Sequence, residues 1–168
     1  MLKAQDVVVL LKLLGSAEVP AVRDLAAELG FDVAGTHRAL RRLEEAGLYS
    51  PERRRLLRGP AEEFLVHAVK FNFPAQWGPE ARGIPTSWAA EPLKGELADS
   101  SALPPVWASS TGTVRGLELE PLHPIVPRAA QSDPALSQRL ALVDAIRSNE
   151  SARITNLAVE HLREAIAP

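Results

Sequence analysis

The chain contains no cysteine. That absence removes disulfides, thiolate zinc sites and thiol nucleophiles together. Long apolar runs are missing too: the longest, residues 7–14, is interrupted by Lys12 and is far too short to cross a bilayer. No signal-peptide run follows the opening MLKAQD, so a cytoplasmic location and no membrane partner are expected. Overall charge is scarce as well, and a net −2 argues against a general nucleic-acid coat protein.

What is present is enough for a folded protein. With 168 residues, 46% hydrophobic and 24% charged, the chain can form a small head carrying a second unit. The charge is unevenly placed. Residues 34–58 hold seven arginines against three glutamates, whereas residues 59–168 hold nine basic against thirteen acidic side chains. A local positive field of this kind is suited to a phosphate backbone.

Apolar spacing predicts three helices in that head. Residues 4–14 place Val7, Leu10, Leu11 and Leu14 on one face and Gln5, Lys12 and Leu13 on the other, with Gly15 as the stop. Residues 21–29 carry Val22, Leu25, Ala26 and Leu29 on a stripe, entered at Pro20 and ended by Gly30. Asp32 is placed to cap a third helix over 33–46, with Val33, Thr36, Leu40 and Leu43 inward. Ala34, Gly35, His37, Arg38, Arg41 and Arg42 then face outward. Small side chains at a helix start let it approach base edges, and the arginines beyond reach guanines or phosphates.

The string VRDLAAELGFDVAGTHRALRRLEEAGLY resembles the helix-turn-helix of winged-helix bacterial regulators of the MarR and GntR kind. It departs from their usual pattern at Gly35 and Thr36. The resemblance implies a β-hairpin wing after the third helix, entered by Leu48 and Tyr49, turned at residues 50–52 and returning over residues 53–58. It places Arg53, Arg54 and Arg55 beside the minor groove or flanking phosphates.

Beyond the wing, Pro60 opens a helix to Phe73 whose apolar side is Phe64, Leu65, Ala68 and Phe71. Residues 74–128 are rich in proline and glycine and contain Trp77, Trp88 and Trp107, with no persistent period. An irregular, aromatic-packed segment is expected there. His67, Lys70, Arg82, Thr86 and Trp88 are candidates for an effector or partner pocket, the alternative being that Arg82 and His67 tie an irregular loop to the helix. Asp133 and Pro134 start a helix bearing Leu136, Leu140, Val143 and Ile146. After a break at residues 148–151, a last helix carries Ile154, Leu157, Ala158, Leu162, Ala165 and Ile166. This hairpin is expected to make a two-fold dimer, the alternative being packing on its own head.

The expected organisation is therefore a mainly α protein with a small β-wing. Residues 1–73 form the DNA-binding head with its linker helix, 74–131 the irregular segment and 132–168 the helical hairpin. His37, His67, His123 and His161 lack metal-site spacing, and no phosphate loop, nucleophile elbow or glutamate–histidine motif occurs. Neither an enzyme nor a cofactor is expected. The function implied is a dimeric repressor on double-stranded DNA. The alternative is a protein-interaction winged helix, such as the antitoxin or regulatory partner of a toxin–antitoxin or defence pair.

Overall fold

The computed structural model describes residues 1–97 and 102–168. It is mainly helical, with small β elements. At the centre lies α1 (Ala4–Leu13), in which Val7, Val8, Val9, Leu10, Leu11 and Leu13 are all buried. The spacing argument assigned Leu13 to an outer face. It is covered because α1 has neighbours on more than one side: α3 (Val33–Glu45) and α7 (Pro134–Ser148) both pack against it. Each such Val or Leu contributes about 1.5–3 kcal/mol on burial.

Helix α2 (Val22–Leu29) ends at Gly30, whose φ of 78° is the left-handed conformation that closes a helix and turns the chain. Phe31 and Asp32 complete a three-residue turn into α3. Asp32 caps α3 by accepting from the Gly35 amide, as the sequence predicts. The buried stripe of α3 is Gly35, Thr36, Ala39, Leu40 and Leu43, which differs from expectation at Val33, Gly35 and Ala39. Val33 is 50% exposed and Gly35 is buried. The stripe is rotated toward the small residues because these allow α1 to approach: a Cβ on Gly35 would sit 3.2 Å from Gln5 Nε2 and 3.1 Å from Asp32.

A two-stranded hairpin follows, β1 (Tyr49–Ser50) against β2 (Arg55–Leu56), with Tyr49 opposite Leu56 and Ser50 opposite Arg55. It leads into α4 (Arg58–Glu63), a π-helical turn (Phe64–Ala68) and α5 (Val69–Asn72). The π turn, closed by the Val69 amide on the Phe64 carbonyl, changes the phase of the apolar stripe. Ala61, Leu65, Val66 and Val69 are buried, and Phe71, expected inside, is 77% exposed.

Residues expected to be irregular form a second β element. β3 (Trp77–Pro85) pairs antiparallel with both β4 (Pro105–Ala108) and β5 (Val114–Leu119), which pair parallel with each other, closing a three-stranded barrel. So tight a closure leaves no room for side chains at its crossings. A Cβ on Gly83 would collide with the Trp107 carbonyl, and one on Gly116 with the Pro104 carbonyl. The glycines that help to erase strand periodicity are thus what the geometry needs.

Helix α6 (Val126–Ser132) precedes α7 and α8 (Ala152–Ile166). Asp133 caps α7 through the Leu136 amide at 3.0 Å, with Pro134 in its first turn. Helix α7 is buried over eight consecutive residues, Leu140 to Arg147, because α1, α5 and α8 surround it. The apolar stripe expected to meet a second chain therefore faces the chain's own helices. One core, from Val7 in α1 through Leu65 and Trp107 to Ile166 in α8, runs through all three expected segments.

A buried polar knot fastens the barrel to α7. Asp144 accepts from Thr86 Oγ1 at 2.7 Å, Trp107 Nε1 at 2.7 Å and Arg147 Nη1 at 2.6 Å, while Arg147 Nε donates to the Phe73 carbonyl at 2.7 Å. Burial pushes the Asp144 carboxyl up from its ordinary value, opposed by the Arg147 charge and these donors. Among the described residues no helix is long and apolar enough to cross a membrane.

Candidate nucleic-acid interface

Helix α3 turns one face to solvent, and Ala34, His37, Arg38 and Arg41 occupy it, all exposed. They share a face because positions three, four and seven apart fall on one side of a helix, opposite the Thr36, Ala39 and Leu43 stripe. Of the six α3 residues predicted to face outward, these four do so. Gly35 does not, and its place is against Gln5.

Arg42 has a different task from Arg38 and Arg41. Its Nε donates to Asp6 Oδ2 at 2.7 Å and its Nη2 to Asp6 Oδ1 at 2.8 Å, making a two-pronged ion pair between α3 and α1. Asp6 is fully buried and Arg42 retains only 18% side-chain exposure. The hydrogen bonds that it donates to Asp6 hold the Arg42 guanidinium above its ordinary pKa. Asp6 also accepts from the Lys3 amide at 2.7 Å, so its oxygens are committed at the start of α1. A carboxylate within an otherwise apolar helix needs a cation, and that rule was the available signal for this pair.

The hairpin arginines divide in a similar way. Arg53 and Arg55 are exposed. Arg54, at a φ of 50°, turns back toward the segment before α2: its Nη2 donates to the Val19 carbonyl at 3.1 Å, and Nη1 lies 3.7 Å from Glu18. The Val19 amide in turn donates to the Arg54 carbonyl at 2.7 Å. This two-way contact fixes the hairpin tip to the α1–α2 connection.

A second set of ion pairs secures α1 and α2 to the C-terminal half. Lys12 lies 2.9 Å from Glu28 of α2 and 2.7 Å from Asp133 at the head of α7. Burial works against the Lys12 charge, but the two carboxylates outweigh it and raise its pKa. Burial likewise works against Asp133, and the Lys12 and Leu136 hydrogen bonds with the Lys12 and Arg139 charges carry it below the ordinary value.

His67, Lys70, Arg82 and Trp88 do not form one pocket. His67 is exposed on the π turn, Lys70 stands 5.2 Å from the Phe71 ring, and Arg82 is exposed on β3 opposite Arg115. Trp88 lines a cavity, and its companions there include Trp77, Leu103, Pro105, Leu117 and Glu150. They are separated because the barrel turns Arg82 outward and the phase change in the π turn redirects its side chains. Among the described residues no group of three or more His, Cys, Asp or Glu could hold a metal ion.

Compared with family models, curated proteins and solved structures, the chain matches none.

Proposed function

We propose that this chain is a DNA-binding transcriptional regulator of the winged helix-turn-helix type, a repressor that sets the exposed face of α3 in the major groove. The observation that carries the reading is the division of labour among the arginines. Arg42 holds the scaffold through Asp6 and Arg54 through Val19, Arg54 keeping 57% of its side chain exposed, while Arg38, Arg41, Arg53 and Arg55 are exposed as well. Ala34 keeps the first turn of α3 narrow, so its backbone can approach base edges, and Arg38 and Arg41 follow one and two turns later. The hairpin arginines then meet the flanking backbone or minor groove. Two copies on a palindrome fit the usual symmetry of such regulators, joined through a surface other than the buried side of α7.

The test is a fluorescence-anisotropy titration with the DNA upstream of the gene against random duplex. Specific binding should exceed non-specific binding by about a thousandfold or more at physiological salt. Equal affinity for both duplexes contradicts the proposal.

The second reading, a protein-interaction module such as the regulatory half of a toxin–antitoxin or defence pair, draws support from Phe71 and Trp77, both large and exposed. It requires a stable complex with the product of a neighbouring gene, together with no measurable DNA affinity in the isolated chain.

A further inference from the structure

One cavity of about 480 Å³ lies between the barrel and the turn that joins α7 to α8. Its size falls within the range of small-molecule sites. Two indoles, Trp77 and Trp88, and the apolar side chains of Leu103, Pro105 and Leu117 supply its walls, and Glu150 is the one acidic group among the described residues that line it.

The cavity is built by specific local features. A register irregularity between Trp77 and Glu80 interrupts the β3–β5 pairing and sets the direction of Trp77, which is 41% exposed. Asn149, in the left-handed conformation at a φ of 47°, ends α7, and Ser151 caps α8 by accepting from the Ile154 amide at 3.2 Å. Glu150 is held between these two residues. Partial burial pushes the Glu150 carboxyl above its ordinary value, and a hydrogen bond donated by the Trp88 indole opposes that shift only in part. Among the described residues no basic side chain lines this cavity. Arg153 lines an adjoining one of about 230 Å³ that shares Trp88 and Glu150 with it.

Indole faces carry negative electrostatic potential and attract cations, and a carboxylate beside them adds a full charge of the same sign. Anions meet the opposite field in the same place. We propose that this cavity binds an organic monocation carrying aromatic or alkyl groups, of the quaternary ammonium or phosphonium class, its charge against Glu150 and its apolar groups among the tryptophans. The proposal is independent of DNA binding and is tested without DNA, so either reading can fail alone.

Tetraphenylphosphonium and tetraphenylborate have nearly the same shape and opposite charge, and isothermal titration calorimetry on the full chain compares them directly. Saturable one-to-one binding of the phosphonium is expected, with the borate at least about tenfold weaker, the scale of one charge contact near a protein surface. Glu150→Gln should weaken the phosphonium about tenfold and leave the borate unchanged or improved. Glu150 is exposed, so this variant should fold as the parent does, which circular dichroism verifies. Trp77→Ala should weaken the phosphonium as well. Equal affinity for the two ions, absence of saturable phosphonium binding, or insensitivity to Glu150→Gln would each overturn the proposal.

Discussion

Arg42 and Asp6 form a two-pronged ion pair, 2.7 and 2.8 Å, that joins α3 to the start of α1. The fully buried carboxylate is compensated by a guanidinium that would otherwise be counted with the DNA-contacting arginines. Removing one partner leaves a buried charge without compensation, whereas replacing both by apolar residues of similar volume does not. Arg42→Met, which strands the buried Asp6 carboxylate, should therefore cost about 3 kcal/mol in chemical denaturation, and the double variant Asp6→Leu with Arg42→Met should recover most of that loss. A double variant as unstable as the single one would show that the pair contributes in another way.

The arginines of α3 should separate cleanly in a combined stability and binding experiment. Arg38→Ala and Arg41→Ala should leave the melting temperature within about 2 °C and each weaken specific DNA binding about tenfold, as expected for lost base or phosphate contacts on an exposed face. Arg53→Ala should reduce the slope of log affinity against log salt by about 1, with Arg54→Ala doing less because Arg54 is tied to Val19. Equal salt slopes in parent and Arg53→Ala would remove the hairpin from the interface.

Asp133 offers a test by pH. Its folded pKa lies below the ordinary 3.8, so its contribution is complete above that value and is lost as pH falls through the lowered folded value. Asn caps a helix about as well as Asp, so Asp133→Asn removes the Lys12 partner while preserving the start of α7. At neutral pH the substitution should cost about 1 kcal/mol, the difference from the parent shrinking only in acid. A deficit that is unchanged down to the acid transition would assign the effect to capping alone.

The π turn makes opposite predictions for two residues that simple periodicity places together. Phe71→Ser should change stability by less than about 0.5 kcal/mol, since the ring is 77% exposed. Leu65→Ala, on the buried side, should cost about 2–5 kcal/mol. Similar costs at the two positions would mean that the phase change is absent.

Within the barrel, Gly83→Ala should destabilise the protein by about 3 kcal/mol or more, because the added methyl meets the Trp107 carbonyl rather than a yielding side chain. Gly47→Ala controls for backbone effects: at a φ of 75° it strains the turn but meets nothing within 4 Å, and it should cost less. Thermal denaturation of both variants makes the comparison.

Elements governed by contacts between near neighbours were legible in the amino-acid order. Gly30 ends α2, Asp32 caps α3, Asp133 and Pro134 start α7, and Ala34, His37, Arg38 and Arg41 share an exposed face. Each depends on chain partners only a few residues away, which is the range over which helix caps and periodicity act. Contacts between distant segments were decided by tertiary structure. Arg42 belongs with Asp6 across 36 positions, Trp107 and Thr86 with Asp144 across 37 and 58, and Gly83 with the Trp107 carbonyl. The same holds for α7, whose neighbours α1 and α5 bury the stripe that its amphipathic pattern left without a partner. An arginine reads as positive in any sequence; the buried carboxylate brought to it by the fold determines whether that charge is held inside or presented to solvent.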